Sequence, residues 1–365
     1  MSRSSPISSD RNLQRRVLIV RIGAMGDVLH AMPAVAALRL RHPEWFIGWA
    51  IDPCWAELLQ TAATAERGPA MPLVDRCYRV PTREWKQRTF SLDTMASIRT
   101  VRRELRGERF GQFDLCVDMQ GSIRSSMIGW MAGAEKFAGC AEPRERPARW
   151  MYGQKINVNA AHVIEQGCEI LGGAVGEPLT PAKVELPIDN AAEGWRDELL
   201  SRVAPEGRKF VVIAPSAGWG AKQWPAERYG AVAAELARAG YVPLVNAVFS
   251  GDILANAVVD ASGGVAVVVP CSVSQLIALL RRASLVIAGD TGPLHLAAAL
   301  ERPVVALFGP TDPARNGPYG TASRVLRHAS SKKDHTRHAE TEEGLMQITT
   351  EEVVAAAFDL LQSAR

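Results

Sequence analysis

The amino-acid sequence predicts an α/β protein with two domains, each built around a parallel β-sheet that helices cover on both faces. The chain has 365 residues, enough for two domains that each bury a hydrophobic core. Short β-rich segments alternate with helical segments in two series, and a stretch rich in glycine and proline separates the series. Such alternation favours parallel strands that are joined by crossover helices.

The first series of elements defines a predicted N-terminal domain at residues 17–171. Residues 1–16 are rich in serine and arginine and are predicted to form a disordered leader. They are not a signal peptide, because only the short apolar segment Val17–Val20 follows them. The predicted strands are Val17–Val20, Phe46–Ala50, Val74–Val80 and Asp114–Asp118, and the predicted helices are Val28–Leu40 and Leu92–Arg106.

The second series follows a predicted interdomain linker at residues 172–187, where the sequence GGAVGEPLTPAKVELP has no apolar periodicity. It defines a predicted C-terminal domain at residues 188–345 and a final helix at residues 346–365, which opens with the capping-box pattern Thr349-x-x-Glu352. The predicted strands are Phe210–Ala214, Val242–Val245, Val265–Val269, Leu285–Ala288 and Val304–Phe308, with a helix at Ser274–Arg282.

Composition limits the classes of function. The net charge of +3 is too small to imply nucleic-acid binding by itself. The six cysteines lie far apart without a C-x-x-C pair, which argues against a zinc site and against a disulfide framework. No apolar run approaches the roughly 20 residues that span a bilayer. These features favour a cytoplasmic protein.

The first chemically informative loop is RIGAMGDVLH, which follows the first predicted strand from Arg21 to His30. Ligands of open parallel sheets bind where loops leave the carboxyl ends of strands. The two glycines of the loop permit close backbone approach, but the pattern is not G-x-G-x-x-G and gives little support to a dinucleotide cofactor. Asp27 has two interpretations: it is the N-cap of the next helix, or it takes a proton from an acceptor hydroxyl.

A second loop, GDTGPLHLAAAL at Gly289–Leu300, is predicted to bind a diphosphate. Backbone N–H groups near Thr291 and Gly292 would point outward from the amino end of a helix, where anions bind. Asp290 would repel phosphate if it faced it, so it is predicted to cap the helix or to contact sugar hydroxyls. His295 lies on the first helical turn, where it is either structural or part of the same site.

Two further loops also leave predicted strands. In Ala214–Pro225, Lys222 is either the cation that neutralises a departing phosphate or an ordinary surface lysine. In Gly309–Pro313, Thr311 and Asp312 are expected to shape a turn.

A metal or cofactor is not predicted. The four loops lack the D-x-D pair that holds a nucleotide through a divalent ion, so helix ends and Lys222 are expected to neutralise the phosphates. His335 and His338 lie in a polar segment without further cysteine or histidine ligands, which disfavours a metal pair.

Three separated segments of the chain carry a family resemblance. They are VLIVRIGAMGDVLHAMPAVAAL, AKQWPAERY and GDTGPLHLAAALERPVVALFGPTDP, in this order. Together they resemble the lipopolysaccharide heptosyltransferases of glycosyltransferase family nine, and G-D-V-L-H-x-x-P is most similar to the type I enzymes. The resemblance extends from Val17 to Gln362. It implies a GT-B fold, in which two Rossmann-like α/β domains face each other across a cleft.

The resemblance also implies a reaction. Heptose would pass from ADP-L-glycero-D-manno-heptose to Kdo-modified lipid A at the inner face of the cytoplasmic membrane, with inversion and without a metal. The acceptor would bind the N-terminal domain, and the donor would bind the C-terminal domain. Asp27 matches the general base of the family and Lys222 its phosphate-binding lysine. The implied donor-binding residues are Ser216, Lys222, Asp252, Asp290, Thr291, Gly292 and His295.

The acceptor side of the resemblance is less regular. The implied acceptor-binding residues are Arg83, Lys86, Arg144, Arg146 and His162. The segment Arg83-Glu84-Trp85-Lys86 is less basic than its family counterpart, and the loop with Ser216 lacks the usual paired threonines. A type II heptosyltransferase, another nucleotide-sugar transferase and a non-catalytic nucleotide-binding protein on this fold remain as alternatives. The oligomeric state is not predicted.

Overall fold

The computed structural model describes residues 15–61, 66–88, 91–107, 111–334 and 339–363. Residues 1–14 of the predicted leader lie outside this part of the chain. The protein divides into two units. The first unit contains the described residues up to Gly23, then Ala31–Ala160 and Ile164–Glu185, and the second contains Leu186 onward together with the short segments Ala24–His30 and Ala161–Val163.

The first unit is a parallel sheet with helices between its strands. The strands are β1 (Arg16–Val20), β2 (Phe46–Ile51), β3 (Arg76–Arg79), β4 (Leu115–Asp118), β5 (Lys136–Cys140) and β6 (Gln154–Ile156). The helices are α1 (Met25–Arg41), α2 (Thr82–Gln87), α3 (Leu92–Leu105), α4 (Ile123–Ala132) and α5 (Val163–Val175). The strand order β3-β2-β1-β4-β5-β6 is that of a Rossmann fold.

The second unit repeats this topology. Its strands are β7 (Phe210–Ala214), β8 (Val242–Ala247), β9 (Val267–Pro270), β10 (Leu285–Gly289), β11 (Val304–Leu307) and β12 (Ser323–Leu326). Its helices are α6 (Asn190–Val203), α7 (Ala226–Arg238), α8 (Ile253–Ala261), α9 (Val273–Leu280), α10 (Gly292–Ala299), α11 (Pro313–Asn316), α12 (Glu343–Gln347) and α13 (Thr350–Ser363). The sheet order is β12-β11-β10-β7-β8-β9, and all pairings are parallel.

The central strands of both sheets are buried along nearly all of their length. Val17–Val20 of β1 and Phe210–Ala214 of β7 are almost inaccessible to solvent, because helices cover both faces of each sheet. Apolar side chains of α13, including Val353, Ala357 and Leu360, join the core of the second unit. The predicted capping box of this helix is confirmed: Glu352 accepts the N–H of Thr349 at 2.7 Å, and the Thr349 hydroxyl accepts the N–H of Glu352.

Several predicted boundaries differ from those in the structure. Helix α5 continues to Val175, past the predicted start of the linker, and the stretch without helix or strand is residues 176–189. The final segment holds α12 and α13 instead of one helix. Strands β5, β6 and β12 were not predicted, because they are short and carry lysine, glutamine or arginine among few apolar residues. None of the described helices is both long and apolar enough to cross a membrane.

Candidate functional site

Asp27 lies in the first turn of α1, directly after the loop that leaves β1. It is the third residue of the helix, and its Oδ2 accepts the N–H of Ala24 at 3.1 Å. The interpretation of Asp27 as the N-cap residue is therefore wrong, since α1 begins at Met25. A carboxylate in the first turn is stabilised by the helix dipole. The side chain is partly exposed, so a substrate hydroxyl can reach it.

The segment Ala24–His30 packs within the second unit against the first turn of α10. A Cβ added to Gly26 would lie 2.7 Å from Cδ2 of His295, and one added to Gly292 would lie 2.5 Å from Sδ of Met25. Glycine is required at both positions because any side chain would separate the two turns. His30 Nε2 consequently lies 3.1 Å from His295 Nδ1, and the two rings are 4.2 Å apart.

Asp290 is the centre of a buried polar cluster. Its Oδ2 accepts a hydrogen bond from the Lys222 ammonium at 2.5 Å, and its Oδ1 accepts one from His295 Nε2 at 3.0 Å. Burial acts to raise the pKa of Asp290, but the interactions with His295 and Lys222 outweigh it and hold that pKa well below its ordinary value. The carboxylate therefore stays ionised and fixes both partners. The same imidazole is hydrogen-bonded through Nδ1 to His30 Nε2, so His295 links the carboxylate to a second histidine.

The amino end of α10 directly follows Asp290. The N-cap residue is Thr291, whose hydroxyl donates to the carbonyl of Gly289 at 3.3 Å. The prediction that Asp290 caps this helix is therefore wrong, because its oxygens are bonded to Lys222 and His295. The Thr291 side chain makes no capping hydrogen bond to α10, and the amino end of such a helix suits an anion.

The other predicted donor residues lie in loops that leave the same sheet. Lys222 Nζ is 5.4 Å from the centre of the Trp219 ring, so the indole also contacts this cation. Ser216 lies two residues after β7 and is partly exposed. Asp252 is the N-cap of α8 and accepts the N–H of Ala255 at 3.0 Å. The donor-binding role of Asp252 remains a prediction.

The loop after β11 shapes a turn as the sequence predicts. Asp312 is the N-cap of α11, accepts the N–H of Ala314 at 3.0 Å and pairs with Lys333. Thr311 is almost fully buried, and its hydroxyl has no hydrogen-bond partner within the described chain.

Four of the predicted acceptor residues lie in the first unit. Arg83 and Lys86 belong to α2, and the Arg83 guanidinium is 5.3 Å from the centre of the Trp55 ring. Arg144 and Arg146 follow β5 at the carboxyl side of the same sheet. All four side chains are exposed, which suits a charged acceptor.

His162 belongs to the second unit with the segment Ala161–Val163. Its Nε2 donates to the carbonyl of Gly317 at 3.1 Å, and its ring lies 4.9 Å from that of Tyr319. The His30 ring is 6.3 Å away in an edge-on orientation. His162 thus joins the histidine pair at α10 and belongs to a different unit from the four basic residues.

His30 is the site residue that sequence reasoning left without a role. It ends the motif G-D-V-L-H, three residues after Asp27, and this spacing places both side chains on neighbouring positions of a helix surface. The helical spacing could therefore have placed His30 beside Asp27. It could not have predicted the contact of His30 with His295 on α10.

The described residues hold no group of three or more histidine, cysteine, aspartate or glutamate side chains that could bind a metal ion. His335 and His338 lie outside that part of the chain.

The two parallel-sheet units confirm the predicted fold class of two Rossmann-like α/β domains, and the comparisons define an enzyme of the glycosyltransferase class. The chain belongs to glycosyltransferase family 9 (heptosyltransferase), whose model matches residues 98–346.

Relatives of known name are similar over most of their length. Lipopolysaccharide heptosyltransferase 1 of Escherichia coli K12 is 26% identical over 316 residues, which cover 86% of this chain and 93% of that protein. The protein of the same name from Pseudomonas aeruginosa is 27% identical over 310 residues, which cover 84% of this chain and 81% of that protein. The solved structure of E. coli heptosyltransferase WaaC with ADP shares the fold, with a TM-score of 0.74 at 24% identity over 94% of this chain and 99% of that one.

Proposed function

We propose that this glycosyltransferase moves L-glycero-D-manno-heptose from ADP-heptose to the Kdo region of lipid A in lipopolysaccharide inner-core synthesis. The observation that best supports this function is the Lys222–Asp290–His295 cluster next to the amino end of α10, where the N-cap side chain makes no capping hydrogen bond. It combines a fixed cation with outward N–H groups, which is the chemistry that a diphosphate leaving group requires. The names of the relatives, and the ADP in the related solved structure, support the donor.

Stabilisation of the leaving group is assigned to Lys222 and α10. An ammonium group has three N–H donors, and Asp290 accepts one of them. The others can donate to phosphate oxygens, while Asp290 keeps the group in place. As the bond from the anomeric carbon to the phosphate oxygen breaks, negative charge grows on the diphosphate. A preorganised cation and helix end favour this charge without reorganising during the reaction.

Activation of the acceptor is assigned to Asp27. Its carboxylate would take the proton of the acceptor hydroxyl while the hydroxyl oxygen forms the new bond to the anomeric carbon. The diphosphate leaves from the opposite face, so the configuration inverts. No covalent sugar intermediate is needed, and the proton ends on Asp27.

Activity with purified full-length protein, ADP-heptose and Kdo-lipid A is expected, and it should persist in EDTA. The reason is that Lys222 and α10 are expected to neutralise the diphosphate in place of a metal ion. Product formation is followed by mass spectrometry, with UDP-sugars and GDP-sugars as matched donors. Loss of activity in EDTA with recovery in magnesium or manganese would contradict the metal-free assignment. Use of an acceptor only after it already carries one heptose would indicate a type II enzyme.

Raising the salt concentration should raise the KM for the acceptor more than the KM for ADP-heptose. Kdo and lipid A carry carboxylates and phosphates, and exposed arginines lose attraction as salt shortens the Debye length to roughly 10 Å at 0.1 M. Arg83→Ala and Arg144→Ala should act in the same direction and leave ADP affinity unchanged. Steady-state kinetics on both substrates measure the difference, and Arg202→Ala, an exposed arginine on α6, is the matched control. Equal losses for donor and acceptor would assign the two arginines a structural role.

A further inference from the structure

An exposed surface of the first unit has an unusual composition. It is formed by α4 and by the 3-10 helix Arg146–Met151, which pack against each other. Every exposed residue of these two elements is apolar or arginine. These residues, here named the apolar–arginine surface, are Ile123, Arg124, Met127, Trp130, Arg146, Pro147, Arg149 and Trp150.

The apolar side chains of this surface lie on one face of α4. Ile123, Met127 and Trp130 are spaced by four and then three residues, which places them along one side of a helix. The opposite side carries the residues that pack into the unit: Ser125, Ser126, Ile128, Gly129 and Ala132. Helix α4 therefore packs into the unit mainly through small and polar residues, while its apolar side chains Ile123, Met127 and Trp130 are exposed.

Two exposed tryptophans lie on this surface. The chain has nine tryptophans, all of them within the described residues. Trp130 and Trp150 are the two that are exposed, with 64% and 80% of their surface accessible, and both lie on the apolar–arginine surface. Large exposed aromatic side chains are costly to leave in water, and their grouping indicates a binding surface.

The surface is held firmly by backbone contacts. The N–H of Ile123 donates to the Glu145 carboxylate at 2.9 Å, and the N–H of Glu145 donates to the carbonyl of Gly121 at 2.9 Å. Helix α4 begins with a capping box between Ser122 and Ser125. These contacts fix the two elements relative to each other, so their exposed side chains form one surface. The Glu145 carboxylate is engaged at the amino end of α4.

Positive charge continues beside this surface on α3, which packs next to α4. Its exposed arginines are Arg99, Arg102, Arg103 and Arg106. Arg106 Nε donates to the carbonyl of Met131 at 3.3 Å, which ties the end of α3 to α4. Asp93 and Glu104 are the acidic residues of α3, so arginine is in excess.

We propose that the apolar–arginine surface binds the surface of an anionic lipid bilayer. Tryptophan prefers the boundary between the headgroups and the acyl chains, where its ring is apolar and its N–H is hydrated. Basic side chains beside it are attracted to anionic headgroups. The apolar side chains of this surface suit the acyl-chain side of the headgroup region, and its arginines suit the anionic headgroups. The inference concerns the bilayer alone and does not depend on which sugar the enzyme transfers.

The full-length protein is expected to bind phosphatidylcholine vesicles that contain phosphatidylglycerol and to bind pure phosphatidylcholine vesicles weakly. Binding should weaken as salt is raised, because screening reduces the attraction of exposed arginines to the headgroups. Tryptophan emission should shift to shorter wavelength and should be quenched by acyl-brominated lipids. Flotation and fluorescence measure these effects without substrate, so they are independent of the proposed reaction.

The double variant Trp130→Ser/Trp150→Ser should bind anionic vesicles at least about tenfold more weakly and lose the emission shift. Arg124→Ala/Arg149→Ala should weaken binding and reduce its salt dependence. Leu40→Ser, which changes an exposed apolar residue at the end of α1, is the matched control and should bind as the wild type does. Melting temperatures check that all variants fold. With a soluble, delipidated acceptor the double tryptophan variant should keep its turnover.

Three results would overturn the proposal. The first is wild-type protein that does not bind anionic vesicles. The second is a double tryptophan variant that binds as tightly as the wild type. The third is a wild-type dimer in sedimentation velocity that the tryptophan substitutions convert to a monomer without a change in vesicle binding, because the surface would then join two copies of the chain.

Discussion

Replacing Asp27 by asparagine is expected to lower kcat by about a hundredfold or more, the scale of a lost general base. Asparagine keeps the size of the side chain and an oxygen that can accept the N–H of Ala24, but it cannot take up a proton from the acceptor hydroxyl. ADP affinity and melting temperature should therefore stay close to the wild-type values. Steady-state turnover at saturating donor and acceptor measures the effect, and calorimetry measures ADP binding.

The matched control for this substitution is Asp93→Asn. Asp93 is likewise a carboxylate in the first turn of a helix, α3, and it lies outside the proposed site. Both variants lose a similar interaction with a helix dipole, worth about 0.3–1 kcal/mol, so this loss cannot explain a difference in turnover. Wild-type turnover in Asp27→Asn would remove this residue from the general-base role and would require another group near the acceptor hydroxyl.

Replacing Asp290 by asparagine is expected to give the largest loss of stability. It removes the negative charge from a cluster in which the Lys222 and His295 side chains are 16% and 6% exposed. Removing one partner of a buried ion pair costs about 3–5 kcal/mol, and the partial exposure of Lys222 reduces this to about 2–3 kcal/mol. For a unit of this size the melting temperature should fall by about 5 °C or more. Turnover should fall as well, because Lys222 is no longer held beside α10.

The pH dependence gives this prediction a second readout. The pKa of Asp290 is lower in the folded protein than in the unfolded chain, so its contribution to stability is complete above the ordinary carboxylate range near pH 4. That contribution is lost as the pH falls from this range toward the pKa of the folded state. The stability difference between wild type and Asp290→Asn should therefore shrink in acid, as measured by denaturant unfolding at a series of pH values.

Asp359→Asn is the control for an exposed ion pair. Asp359 pairs with Arg324, and about half of each side chain is accessible to solvent, so its loss should cost less than about 1 kcal/mol. Equal destabilisation by the two substitutions would show that the Asp290 cluster contributes no more than a surface pair. If the difference in unfolding free energy between the wild type and Asp290→Asn does not change with pH, the loss of stability does not come from the ionised Asp290 carboxylate.

The sequence predicted the order and type of most elements because buried parallel strands are nearly continuous apolar runs. Val17–Val20 and Phe210–Ala214 stand out for this reason, and both are central strands. The edge strands β6 and β12 pair on one side only and carry polar residues, so the same signal fails for them. The candidate site residues were predicted from the loops that follow such strands, because ligands of parallel sheets bind at the carboxyl ends of the strands.

The contacts within the site were not predictable from local spacing. Lys222 and Asp290 are 68 residues apart, and His30 and His295 are 265 residues apart. Local patterns indicate which residues lie in loops or first turns, but the pairing of such residues is decided by tertiary structure. The prediction for Asp290 named a helix cap or sugar hydroxyls as its partners; the cap is wrong because Lys222 and His295 bind the carboxylate, and the sugar contact remains a prediction.

The two sheets have the same strand order, so the positions of Asp27 and Lys222 in the two topologies can be compared. If β1 is superimposed on β7, then β4 corresponds to β10, and the segment after β1, which includes Asp27, corresponds to the segment after β7, which includes Lys222. The proposed proton acceptor and the proposed phosphate cation thus occupy equivalent places in two copies of one topology. Such a protein is what duplication and fusion of a single ancestral half would produce, with one copy keeping a carboxylate and the other a lysine.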